Sequence, residues 1–170
     1  AEDSYSPYAN QSYPTEVYWG DTHLHTKLSV DASLRGNKDL APVDAYRFAR
    51  GETITAHNGM QVRLHRPLDF LIIADHAENM GLMAGLEAPD SALLKADTGK
   101  RLLNLLRAYP DGIKELLEEI NVFKKENTSF SKSVWAGVAA DADRYNLSGT
   151  FTTFVGYEWT SNLGENFENL

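Results

Sequence analysis

The sequence lacks cysteine altogether, and its 170 residues include only five histidines. Disulfide bonds and thiolate metal sites are therefore excluded, so any bound metal must rest on histidine and carboxylate ligands. Long apolar runs are also missing, because none approaches the roughly 18 residues that a membrane-spanning helix needs. We therefore expect no membrane partner.

A basic stripe is missing as well. The formal net charge is -8 at pH 7, and binding to a phosphate backbone needs a clustered positive surface, so we expect no nucleic-acid partner. A small anionic substrate stays compatible with this balance, because bound divalent cations reverse the sign of the charge locally. The length suits one domain with a hydrophobic core.

The first half of the chain shows strand, helix and turn patterns in alternation. Residues 16–22 (EVYWGDT) predict a strand that leads into a polar loop, and residues 42–50 predict a short helix with a proline near its start. Residues 52–64 predict a hairpin, because the pair Asn58-Gly59 separates two alternating segments.

The second half begins with residues 68–74 (LDFLIIA), a short apolar run typical of a strand buried on both faces of a parallel sheet. Apolar residues three and four apart predict several helices between about residues 78 and 146. Residues 151–157 (FTTFVGY) predict a last strand. The expected fold class is therefore α/β with a helical insertion.

Two histidines follow the first predicted strand as His23-x-His25. Alternate residues of a strand face the same side, so both imidazoles can reach one metal ion. The histidines at His57, beside the Asn-Gly turn, and at His65 are expected to be solvated loop residues outside any metal site.

Two further ligand-type side chains follow the other long strands. His76 comes just after the apolar strand, and Glu158 directly follows the last predicted strand. In parallel α/β folds, chemistry collects at the carboxyl ends of the strands. We therefore expect these side chains to meet His23 and His25 at one end of the sheet, with their tips within about 8 Å of one another.

The aromatic neighbours of Glu158 bear on the same point. Tyr157 and Trp159 flank it, and a carboxylate in apolar surroundings needs a partner to offset its desolvation. A metal ion would supply one. Histidine and carboxylate ligands suit Zn, Mn or Fe, and two such ions can generate hydroxide and bind a phosphoryl oxygen.

Three segments together resemble the motifs of the polymerase-and-histidinol-phosphatase (PHP) superfamily. They are residues 18–26 (YWGDTHLHT) with residues 29–32 (SVDA), residues 73–78 (IADHAE) and residues 155–160 (VGYEWT). The residues of these motifs are most similar to those of the DUF3604 branch of that superfamily.

The resemblance implies a distorted (β/α)7 barrel with two or three divalent ions and phosphoesterase-type hydrolysis. It implies that His23 and His25 bind one ion and His76 another, with Glu158 bridging them.

The resemblance also assigns roles to three aspartates. Asp31, on a loop, corresponds to the carboxylate of the first motif and is expected to be a further metal ligand, but it lies six rather than five residues after the second histidine. Asp21 and Asp75 correspond to groups that orient the histidines without binding the metal.

The chain departs from the superfamily because no histidine follows His76, whereas the superfamily supplies later histidines and a closing Asp-x-His. We therefore expect residues 16–160 to be the N-terminal part of a PHP-like catalytic domain, a partial barrel that alone binds metal incompletely and is inactive. Residues 1–15 are expected to be a loose segment and residues 161–170 a tail. The tail ends in Glu-Asn-Leu, which also begins a common protease-cleavage linker, so a native and a cloning origin are both open.

The expected function is hydrolysis of small anionic phosphoester-like substrates through metal-activated hydroxide. Sulfoesterase and amidohydrolase activities stay open, because the same ligands serve those reactions, and so does a non-catalytic metal- or ligand-binding module. The polar, tyrosine-rich opening favours a periplasmic or extracellular location, with a cytoplasmic one still open. The sequence does not indicate the oligomeric state.

Overall fold

A computed structural model describes residues 16–89 and 91–160, with the side chains of residues 124–126 excepted. The segments expected at 1–15 and 161–170 lie outside the described residues. The strands are β1 (Gly20–Leu24), β2 (Ile54–Thr55), β3 (Gln61–Val62), β4 (Phe70–Ile73) and β5 (Thr152–Val155). The α-helices are α1 (Val30–Leu34), α2 (Pro42–Ala49), α3 (Leu82–Glu87), α4 (Asp97–Ala108), α5 (Ile113–Glu126) and α6 (Thr128–Tyr145), and a short 3-10 helix (Ala92–Lys95) precedes α4.

A parallel sheet with the strand order β1-β4-β5 forms the centre of this mixed α/β fold. β4 is the middle strand, and its Leu71 and Ile73 are buried, as the apolar run at residues 68–74 predicts. The helices expected after β4 are present, and in the sequence they come between β4 and β5. The described residues do not show a closed barrel, so the barrel stays a prediction.

The strand expected at residues 16–22 lies at Gly20–Leu24, so β1 begins and ends later than predicted. Asp69 determines where the pairing starts. Its backbone N–H donates to the carbonyl of Trp19 at 2.7 Å, and its carboxylate accepts the N–H of Trp19 at 2.7 Å. The ladder then opens with Gly20 opposite Phe70. As a result His23 lies within the strand instead of after it.

The predicted hairpin and the short helix predicted at residues 42–50 are confirmed. β2 and β3 pair antiparallel, with Gly59 at φ +84° in the turn between them. α2 ends at Ala49, one residue before the predicted end. The prediction that Asp31 lies on a loop was wrong, because Asp31 lies in the first turn of α1. That helix has only five residues, too few to leave a periodic pattern in the sequence.

Two apolar clusters hold the described residues together. α2 and α6 pack on the sheet through Tyr46, Ala49, Leu71, Ile73, Ala142 and Phe151. The leucine-rich faces of α4 and α5 pack with α3 in a second cluster that includes Leu82, Leu86, Leu102, Leu106, Leu116 and Phe123. None of the described helices combines the length and apolar character needed to cross a membrane.

Gly156 lies between β5 and Glu158, where the chain passes close to β4. A Cβ atom at this position would collide with Cγ2 of Ile72 and lie 3.4 Å from the carbonyl oxygen of Ile73. We expect Gly156→Ala to lower the free energy of unfolding by about 1–3 kcal/mol, because the chain must shift to relieve the overlap. Urea denaturation measures the change.

The matched control is Gly137→Ala in α6, where nothing lies within 4 Å of an added Cβ atom. Alanine replaces glycine favourably in a helix, so this variant should gain about 0.5–1 kcal/mol. A Gly156→Ala protein as stable as the control would contradict the close approach.

Candidate metal centre

The backbone pairing of β4 and β5 continues beyond the ends of both strands. His76 and Glu158 form an isolated parallel bridge. The N–H of Ala77 donates to the carbonyl of Glu158 at 2.9 Å, and the N–H of Glu158 donates to the carbonyl of Asp75 at 3.1 Å. The two candidate ligands therefore leave neighbouring segments side by side.

One carboxylate oxygen lies at the centre of the site. Oε2 of Glu158 is 2.8 Å from Nε2 of His23, 2.8 Å from Nε2 of His25 and 3.9 Å from Nε2 of His76. His23 and Glu158 are 135 positions apart in the chain. The expected convergence of the four side chains at one end of the sheet is therefore present.

His25 provides the test of whether these residues suit a metal ion. Its Nε2 atom is buried and has no hydrogen-bond partner within the described part of the chain, although Oε2 of Glu158 is only 2.8 Å away. Its Nδ1 atom lies 3.0 Å from Oδ1 of Asp31. When Nδ1 carries the proton and donates it to Asp31, Nε2 directs a lone pair toward a second carboxylate. Two electron-rich atoms this close need a proton or a metal cation between them, and the imidazole and carboxylate donors suit a divalent metal ion.

Two groups of side chains have ligand atoms within 4.8 Å of one another, close enough for one ion each. The first consists of His23, His25 and Glu158, and the second of His25, Asp31 and His76. Neither group contains His57 or His65, which are exposed turn and loop residues as expected. The assignment of these residues as ligands stays a prediction.

Hydrogen bonds within the cluster favour charged carboxylates. The bond from His23 is the main cause of the lowered pKa of Glu158, and it outweighs the opposing effect of burial. Burial is the largest influence on Asp31 and raises its pKa, but the bonds from Ser29 and His25 together lower the pKa to about 2. Both groups are therefore ionised at neutral pH, which is the form that binds a metal.

Ser29 is a fully buried residue to which the sequence assigned no role. Its hydroxyl donates to Oδ1 of Asp31, accepts the backbone N–H of His76 at 3.2 Å, and lies 3.3 Å from Nδ1 of His25. It thus joins the first motif to the second. The sequence contains only weak evidence for this role of Ser29, because a serine at the start of a helix is also an ordinary N-cap residue.

Asp75 and Asp21 act on the histidines through the backbone. Asp75 is 1% exposed, and its carboxylate accepts both the backbone N–H and, at 2.8 Å, the hydroxyl of Thr26, the residue after His25. Burial raises the pKa of Asp75, and the bonds from Thr26 oppose that rise. Asp21 accepts the backbone N–H of His23 at 2.9 Å. Both carboxylates therefore fix the segment that presents the two imidazoles.

The expectation that aromatic neighbours desolvate Glu158 was wrong. Tyr157 is 54% exposed and Trp159 is 72% exposed. Neighbouring residues of an extended segment point to opposite sides, so Glu158 faces the cluster while its neighbours face solvent. The partners of the carboxylate are the three imidazoles.

The cluster borders two cavities of different character. One, which we call the polar cavity, has a volume of about 460 Å³, is open to solvent, and is lined mostly by polar residues: His23, His25, Asp31, Arg35, Asn37 and His57, with Ala32. The other, of about 400 Å³, is lined mainly by apolar side chains of α1, α3, α4 and α5, together with the polar residues Asp31, His76, Glu78, Asn79 and Thr160. Asp31 lines both cavities.

The fold and these side chains define a candidate histidine and carboxylate metal centre at the strand ends of an α/β domain. The family model described as "Protein of unknown function (DUF3604)" matches residues 12–170. The chain belongs to this family, as its motifs predicted. Neither a curated protein nor a solved structure matches the chain.

Proposed function

We propose that this chain carries the metal centre of a metal-dependent hydrolase of phosphoester-like substrates. The supporting observation is the convergence of three imidazoles on Oε2 of Glu158, with the buried Nε2 of His25 left without a hydrogen bond. The resemblance to the PHP superfamily adds that the parallel sheet is part of a distorted (β/α)7 barrel.

The two ligand groups suggest where ions would be held. His23, His25 and Glu158 would hold the first, and Asp31 and His76 would complete a second position next to it. Nitrogen and oxygen donors without thiolate suit Zn, Mn or Fe. When bound, such ions supply Lewis acidity toward an ester oxygen and lower the pKa of water.

The residues around the ligands hold them in place. Asp31, besides being a ligand candidate itself, accepts a hydrogen bond from Nδ1 of His25 through its Oδ1 and so keeps Nε2 free to bind. Asp75, through Thr26, and Ser29 hold the segment between β1 and α1 against the backbone of His76. The substrate would approach from the polar cavity, which has room for a small anionic ester.

Three alternatives use the same residues. Sulfate esters and amides are also hydrolysed at sites with this donor set, and a descendant of such an enzyme could bind metal or ligand without catalysis. No residue is assigned as the general acid, so the site does not determine which leaving group departs. The reaction must therefore be tested on phosphate esters, sulfate esters and amides.

The test uses the protein expressed from its complete natural reading frame, loaded with Zn or Mn and offered aryl phosphates, aryl sulfates and anilides. We expect hydrolysis of the phosphates that chelation abolishes and added metal restores. Faster hydrolysis of another panel member would reassign the reaction. Stoichiometric metal with no turnover on any panel would favour the binding module. We expect the 170-residue chain alone to be inactive, and equal activity of both forms would contradict the partial-site prediction.

A further inference from the structure

The polar cavity contains three side chains that the metal centre does not use. Arg35 caps the carboxyl end of α1, Asn37 follows it, and His57 comes from the turn between β2 and β3. The hairpin and α1 are separate elements, yet both reach the cavity that His23, His25 and Asp31 line.

The side chains of Arg35, Asn37 and His57 have hydrogen-bond donors without a partner among the described residues. The guanidinium of Arg35 forms no ion pair with any residue in the described ranges. Asp31, the carboxylate that lines the same cavity, is engaged by His25 and Ser29. Oδ1 of Asn37 accepts the N–H of Leu40 at 3.0 Å, which leaves its amide NH₂ group to donate elsewhere. His57 is exposed, and its ring has no hydrogen-bond partner among residues 16–89 and 91–160.

We propose that Arg35, Asn37 and His57 form an oxyanion-binding wall in the cavity that His23, His25 and Asp31 also line. The proposal rests on the proposed function and narrows its substrate class to esters of tetrahedral oxyanions, phosphate or sulfate, over neutral amides. A guanidinium presents a planar fork of N–H donors that matches two oxygens of such a group. The amide NH₂ and the imidazole supply further donors from two directions.

The charge balance of the cavity supports this assignment. The ligand side bears the carboxylates of Asp31 and Glu158, which bound cations would neutralise. An oxyanion held there keeps oxygens that do not bind the ions, and Arg35, Asn37 and His57 offer donors to them in the same cavity. Arg35 is exposed, and its charged N–H donors bind an oxyanion more strongly than a neutral amide, because hydrogen bonds between two charged groups are the stronger ones.

The binding experiment uses the complete natural protein loaded with zinc and titrates inorganic phosphate and, separately, sulfate by calorimetry. We expect Arg35→Ala to weaken phosphate binding by about tenfold or more with unchanged zinc content, because a charged hydrogen-bond donor is lost. Arg35→Lys should restore part of the affinity, since the charge returns without the fork. His57→Ala should give a smaller loss. If sulfate binds more tightly than phosphate, the substrate would be assigned as a sulfate ester, and the role of the three side chains would stand.

The matched control is Arg63→Ala, an exposed arginine directly after β3 that is not among the residues lining this cavity. Its phosphate affinity should stay within about twofold of wild type. Wild-type affinity in Arg35→Ala, or an equal loss in Arg63→Ala, would overturn the wall.

Hydrolysis assays on the same proteins separate the two proposals. Arg35-dependent phosphate binding without turnover in wild type would support the wall and reject the hydrolase. Turnover in wild type, with the same KM and phosphate affinity in Arg35→Ala, would reject the wall and retain the hydrolase.

Discussion

Glu158→Ala should remove the metal centre while leaving the fold in place. The substitution deletes the oxygen that lies within 4.0 Å of all three imidazoles. Loss of a group that merely orients a ligand costs about 10–100-fold in metal affinity, so loss of a ligand should cost at least the upper end of that range. Competition with a chromophoric chelator measures the zinc affinity, and hydrolysis by the complete natural protein should fall to background.

The matched control is Glu118→Ala on α5, an exposed carboxylate outside both ligand groups. It should bind zinc as wild type does. Circular dichroism of Glu158→Ala should stay native, because the side chain is only partly buried and makes its contacts within the site. Unchanged zinc affinity in Glu158→Ala would remove the basis of the proposed function.

Asp75→Ala should cause the largest loss of stability among the residues around the site. Asp75 and Thr26 are both 1% exposed, and the change removes the acceptor of two hydrogen bonds from Thr26. A buried donor left without a partner costs about 1–3 kcal/mol, so we expect a total loss of roughly 3 kcal/mol. Urea denaturation measures it. Zinc affinity should also fall, by about 10–100-fold, because the segment that presents His25 loosens.

Asp75→Asn should lie between wild type and Asp75→Ala, since the amide keeps one acceptor oxygen for the backbone N–H of Thr26. The exposed Asp143 on α6 provides a control, and Asp143→Ala should change stability by less than about 0.5 kcal/mol. An Asp75→Ala protein as stable as this control would show that the buried contacts with Thr26 are not formed.

The convergence of the candidate ligands could be predicted because it depends on few features. His76 and Glu158 follow short apolar segments, and parallel strands bring such positions together whatever the helices between them do. The Asn58-Gly59 turn was equally readable, because its backbone conformation favours those residue types.

What the sequence could not show depends on contacts between distant segments. The start of β1 is determined by Asp69, which lies 50 positions from Trp19. The role of Ser29 depends on the backbone of His76, 47 positions away. His57 was correctly placed in a solvated turn, but its position on the cavity requires the turn of the hairpin to lie near the residues at the end of α1.

The order of the strands has a consequence for how the protein is made. Synthesis delivers His23, His25, Asp31 and His76 long before Glu158, whose oxygen lies among all three imidazoles. β5, which brings Glu158 into place, pairs with β4 and is the last strand described. A nascent chain still attached to the ribosome therefore displays isolated histidines and an unfinished sheet edge. An ion that needs Glu158 would therefore bind only after β5 has paired with β4, and chains in which these two strands have paired would compete better for scarce metal in the cell.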